Sequence, residues 1–140
     1  MNTTTADAPT GSTNTRPGRG LTIALWIAQV GLALMFLMAG GNKLAGNAMM
    51  VGLFEAIGIG QWFRYVTGAL EVAGALLLVI PGSAGRGAAL LVPVMLGAIG
   101  THVFILHSSP AMPGALLVGL AFVAWGRRAQ ILSDLRRFVR

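Results

Sequence analysis

The chain has 140 residues, 55% of them hydrophobic and only 10% charged, with a mean hydropathy of +0.75. That composition excludes a water-soluble domain of this size and places the chain in a membrane. The absence of cysteine excludes disulfides, thiolate zinc sites and thiol redox chemistry carried by the chain itself, and the net charge of +6 comes from arginines at the ends of apolar segments, which orient a membrane protein rather than bind nucleic acid.

Residues 1–20 are rich in Thr, Asn, Pro and Gly, lack apolar periodicity and read as a disordered tail. The next 21 residues, 21–41, carry no charge, and about 20 are needed for a spanning helix. A signal peptide has an apolar core of only about 7 to 15 residues, so this stretch is expected to stay as helix 1. Asn42 and Lys43 close it. In 44–60, Met49, Met50, Leu53, Phe54 and Ile57 recur at helical spacing, which predicts a segment lying along the interface with Glu55 facing water or headgroups.

Helix 2 is expected over 63–80. At 100° per residue Arg64, Thr67, Gly68, Glu71, Gly74 and Ala75 share one narrow face. Small residues allow close helix approach in lipid, so this face should pack on protein and keep Glu71 from the acyl chains. A charge in mid-membrane costs at least ~2.5 kcal/mol, which makes Glu71 the first candidate for a functional group. The turn at 81–85 precedes Arg86 and helix 3, 87–106, in which Pro93 predicts a kink near Ala89 and His102 stands late. Helix 4, 112–125, is only 14 residues long, so Arg127 and Arg128 must snorkel or the helix must extend. Residues 127–140 place Ile131, Leu132, Leu135, Phe138 and Val139 opposite most of the arginines, the pattern of a basic amphipathic helix seeking anionic lipid headgroups.

The expected architecture is all-α: an integral membrane four-helix bundle, 21–126, with an interfacial segment between helices 1 and 2. Four crossings put both termini on one side with eight arginines, against Lys43 and Arg64 on the other. The positive-inside rule makes that richer side cytoplasmic, as in a multi-pass protein of a bacterial plasma membrane.

Lys43, Arg64, Glu71 and His102 then fall in the outer half of the bundle, with Glu71 about 10 Å below Arg64 and His102 about 6 Å from its helix end. Such a cluster can exchange protons or hydrogen-bond the head of a lipid-soluble ligand such as a quinone. The alternative for Glu71 is an ion pair with Lys43 that only fixes helix register. For His102 a satisfied packing role is the better reading, since it shares a side with Leu91, Met95 and Ala98. No catalytic motif, haem ligand pair, phosphate loop or metal cluster is visible, and Trp26, Trp62, Tyr65 and Trp125 fit an interfacial belt.

The lysine after helix 1 in GGNKLAG, the GALEVAG core around Glu71, the turn with Arg86 and the late His102 resemble the DoxX and DoxX-like family of small bacterial membrane proteins, over roughly residues 21–127. That resemblance implies a four-helix bundle acting as an accessory membrane subunit of a quinone-linked or redox-homeostasis complex, with a redox partner protein. Two further functions stay open on the residues: a small transporter, as a homo-oligomer, using Glu71 to bind a proton or substrate, and a structural or assembly protein.

Overall fold

A computed structural model describes residues 18–139, so the expected N-terminal tail lies, through residue 17, outside the described residues, as does Arg140. Every element among the described residues is helical. The uncharged first stretch becomes α1, Arg19–Leu44. Its 26 residues extend about 39 Å at 1.5 Å per residue, against a hydrocarbon core of about 30 Å, so Arg19 and Lys43 both reach the interfaces.

A short loop leads into α2, Ala48–Ile57, which Asn47 caps by accepting a hydrogen bond from the Met49 amide at 3.0 Å. Gly58, at φ 79°, ends it in the left-handed conformation that glycine adopts without a Cβ penalty. Phe54 is the buried residue of α2; its ring meets Phe63 edge-on at 5.9 Å, and Gln61 Nε2 donates to the Val51 carbonyl at 3.0 Å. Glu55 is exposed. These ties hold α2 across the start of α3, Gln61–Val79.

The tight turn after α3 is fastened by Ser83, whose hydroxyl lies 2.8 Å from the Leu77 carbonyl and 3.0 Å from that of Ile80. The next helix, α4, spans Ala84–Gly100 and is continued by a π turn over Thr101–Ile105. The chain runs helically through Pro93 and leaves α geometry at Thr101. α5, Ala111–Gly126, reaches about 24 Å, short of the hydrocarbon core. The last helix, α6, Arg128–Phe138, turns away from it by 70°.

The four long helices form a closed ring in the order α1, α3, α4, α5, each packed on the next. Their shared core contains Phe36 of α1, Leu78 of α3, Leu91 and Met95 of α4, and Leu120 and Val123 of α5. The outside is equally apolar: Ile27, Met38, Leu96 and Val118 all point outward, Val118 at 72% exposure. A ring with apolar residues on both faces is what a bilayer accepts and water does not. α1, α3 and the run Ala84–Ile105 are each long and apolar enough to cross; α5 completes the ring as the fourth.

Close helix approach depends on a few glycines. A Cβ on Gly87 would lie 2.8 Å from the Gly74 carbonyl and 2.9 Å from the Leu78 amide, so α4 can touch the α3 backbone only without one. Gly85 does the same for α6: a Cβ there would sit 3.0 Å from Ile131 and 3.1 Å from the Arg127 carbonyl. The C-terminal helix is thus not a free appendage. It is seated on the first turn of α4, where the Gly85 amide donates to Gln130 Oε1 at 2.9 Å and Arg86 faces Asp134 at 3.3 Å.

Candidate functional site

The site begins with a glycine crossing. Where α1 meets α3, a Cβ on Gly40 would lie 2.8 Å from the Gly68 carbonyl, and one on Gly68 would lie 3.0 Å from Lys43 Cβ. Lys43 stands opposite Gly68, and Glu71 opposite Gly40, whose added Cβ would lie 3.1 Å from Glu71 Cβ. Each long side chain passes over the other helix's glycine, and the two charged ends meet across the crossing. The Lys43 ammonium lies 3.0 Å from Glu71 Oε1 and 2.8 Å from Oε2, a two-pronged charge-assisted contact.

Burial is unequal across the pair. The Glu71 side chain is 4% exposed and that of Lys43 is 14% exposed. The carboxylate is thus enclosed while the lysine keeps one edge open. Arg64 adds a second cation, almost wholly buried at the start of α3. Its Nε donates to Gln61 Oε1 at 2.7 Å and its Nη1 donates to the Lys43 carbonyl. That carbonyl belongs to the last turn of α1, where helix carbonyls lack internal partners and a cation is favoured by the dipole. The Arg64 guanidinium also sits 4.2 Å from the centre of the Tyr65 ring. Within the cluster two cations meet one carboxylate, and the exposed Glu55 of α2 balances the second cation at this end of the bundle.

Of the four residues singled out from sequence, the structure joins Lys43, Glu71 and Arg64, and leaves His102 apart. Among the described residues no hydrogen bond or ion pair links His102 to the other three. Its Nδ1 lies 2.8 Å from the Ser108 hydroxyl, and the Ser108 amide donates to the His102 carbonyl at 2.9 Å. His102 is thus satisfied within its own π turn, closer to the satisfied role favoured for it from sequence than to a place in the cluster. Thr67, on the Glu71 face, bonds to its own helix through the Phe63 carbonyl at 3.0 Å. No group of three His, Asp or Glu residues with metal-site spacing occurs among the described residues.

A second polar joint, at the opposite end of the bundle, was not anticipated. Gln29 is 1% exposed; its Nε2 donates to the Leu78 carbonyl at 2.8 Å and its Oε1 accepts from Arg127 Nε at 2.9 Å. One amide thus links α1, α3 and the end of α5, and Arg127 turns inward to it. The signal for Gln29 was slight: a single neutral polar residue in an otherwise apolar run.

An apolar ring enclosing a lysine–glutamate pair, with its polar groups gathered at two ends, defines a small multi-pass helical membrane protein. The chain belongs to the DoxX-like family, whose family model matches residues 27–125 and so takes in α3 and α4 whole and most of α1 and α5. No curated protein and no solved structure gave a match.

Proposed function

We propose that the protein is an accessory membrane subunit of a quinone-linked or redox-homeostasis complex. In this reading it lies in a bacterial plasma membrane with both chain ends cytoplasmic, and the Lys43–Glu71 pair receives the polar head of a lipid-soluble ligand. The observation that carries the reading is the uneven burial of the pair, an enclosed carboxylate beside a lysine with an open edge. Two N–H groups of the ammonium point at Glu71 and a lysine has three, so one donor remains for a ligand carbonyl or hydroxyl. Glu71 sits where it can give or take the proton that such a group exchanges.

These donors and this acceptor fit a quinone head. When bound, a quinone supplies the electron carriage that a chain without cysteine does not supply through thiols. The chain's own residues have narrower tasks. Lys43 orients the head, Glu71 holds the proton, and Arg64 fixes the Lys43 carbonyl and with it the end of α1. Electrons come from a partner protein docked on the membrane domain.

The structural reading has its own support. No buried side-chain nitrogen or oxygen among the described residues lacks a partner, so the pair is complete without a ligand. Extraction of the purified wild type and of Glu71→Gln, with mass spectrometry of the bound small molecules, separates the two. A quinone held by the wild type and lost from the folded variant supports the proposal. Bulk lipid alone in both overturns it and leaves a register-fixing ion pair.

A further inference from the structure

Beyond Ile131, which rests on Gly85, the bundle leaves the apolar stripe of α6 open. Leu132, Leu135, Phe138 and Val139 are exposed, Phe138 at 94%, and at 100° per residue they share one arc with Ile131. Beside that arc, between α6 and the first turns of α4, lies a groove of about 270 Å³ lined by Arg86, Ala89, Ile131, Asp134, Leu135 and Phe138. A groove and stripe of this kind call for a cover, and their position says which one.

α6 turns from α5 by 70°, so with α5 along the bilayer normal it runs within about 20° of the membrane plane. The α4 span enters the bilayer at Ala84, directly beside it. The groove therefore opens where headgroups give way to acyl chains. Continuing α5 into the hydrocarbon as one span would bury Arg128, Asp134, Arg136 and Arg137, which no apolar gain from eleven residues offsets. The surroundings are strongly positive. Arg19, Arg86, Arg127, Arg128, Arg136 and Arg137 gather at this end, and Asp134, the one acid there among the described residues, faces Arg86.

We infer that α6 is a membrane-surface anchor that prefers anionic lipid. Leu132, Leu135 and Phe138 enter the leaflet and acyl chains fill the groove over Ala89 and Ile131. Arg128, Arg136 and Arg137 hold the phosphates, while Arg86 offsets the repulsion from Asp134. The seat on Gly85 holds the start of the helix at Arg127, Gln130 and Ile131 and leaves its last turns to settle into the leaflet, so that α6 adds its own grip on the membrane to that of the spans. This assignment is independent of what the Lys43–Glu71 pair binds.

The chain has no cysteine, so single cysteines can be labelled uniquely. The full-length protein carrying nitroxide labels at Phe138→Cys, Leu135→Cys or Ser133→Cys is reconstituted in phosphatidylcholine vesicles with and without phosphatidylglycerol. Accessibility to oxygen and to a water-soluble nickel chelate is then read by electron paramagnetic resonance. Labels at 135 and 138 should favour oxygen, and the label at 133 the chelate. Phosphatidylglycerol should deepen the label at 138, and Arg136→Gln with Arg137→Gln should abolish that deepening. Each arginine at an anionic surface is worth about a fivefold change in partition, so the pair should shift it on the order of thirtyfold. Chelate access at 138 equal to that at 133 in both vesicles overturns the anchor. A depth indifferent to phosphatidylglycerol overturns the lipid preference, and a label at 138 shielded from both reagents shows a protein cover instead.

Discussion

The lysine–glutamate contact can be weighed by taking it apart one partner at a time. Removing one member of a buried pair strands the other and costs about 3–5 kcal/mol. In Glu71→Gln the stranded ammonium is 14% exposed and can turn to water or headgroups, so the loss should sit at the low end, about 3 kcal/mol. Lys43→Met strands a carboxylate that is 4% exposed, and about 4 kcal/mol is expected. The double variant removes both charges of the pair and leaves Arg64 with its own partners, Gln61 and the backbone carbonyl of residue 43, and well-packed neutral replacements of buried pairs are nearly free. It should fall within about 1–2 kcal/mol of the wild type, giving a coupling of about 5 kcal/mol between the two positions. Reversible unfolding in mixed detergent micelles, or steric trapping in bicelles, measures all four proteins. Losses that simply add would show that the two charges do not feel each other, and the geometry argued for the site would fail with them.

Three further outcomes follow from named contacts. Gly40→Ala places a methyl group against the Gly68 carbonyl and Val72, so α1 and α3 must part; a crosslink engineered between the two helices should form more slowly than in the wild type while α4–α5 crosslinking is unchanged. Gly87→Ala meets backbone atoms of α3 that cannot rotate away, and should destabilise more than Gly31→Ala, which meets nothing, by about 1–3 kcal/mol in the same unfolding assay. Gln29→Leu leaves the Leu78 carbonyl and Arg127 Nε without their partner, at about 1–3 kcal/mol, whereas Asp134→Ala removes only an exposed ion pair and should cost under about 1 kcal/mol.

The parts of this molecule that were legible in the sequence are those governed by local rules. An uncharged run of 21 residues has few alternatives to a span, and a face of glycines around one glutamate can hardly look at lipid. That reasoning led to α1, to the buried face of α3 and to a cation for Glu71. It did not lead to Gln29, because a neutral amide adds little polarity to an apolar run and its partners lie 49 and 98 positions away. For His102 the residues favoured a satisfied histidine over a ligand-binding one, and its bond to Ser108 is of that kind, although nothing local in Thr101–Ile105 announces the π turn that carries it. The basic amphipathic pattern of α6 was plain, but amphipathicity says only that a face will be covered. That part of the cover is the first turn of α4 follows from Gly85, whose missing side chain has meaning only once α6 is seen resting on it.

The two polar joints differ in a way that contact distances do not convey. At the Gln29 end the partners are an amide, a carbonyl and a guanidinium, none of which changes its charge in the range a cell experiences. At the Glu71 end one partner is a carboxylate, which can be neutralised. The bundle is therefore pinned at one end and adjustable at the other. A proton delivered to Glu71 weakens only the α1–α3 crossing beside it, so the ring would loosen like a clip held at its base, widening on the side of Lys43 and Arg64 and holding firm around Gln29.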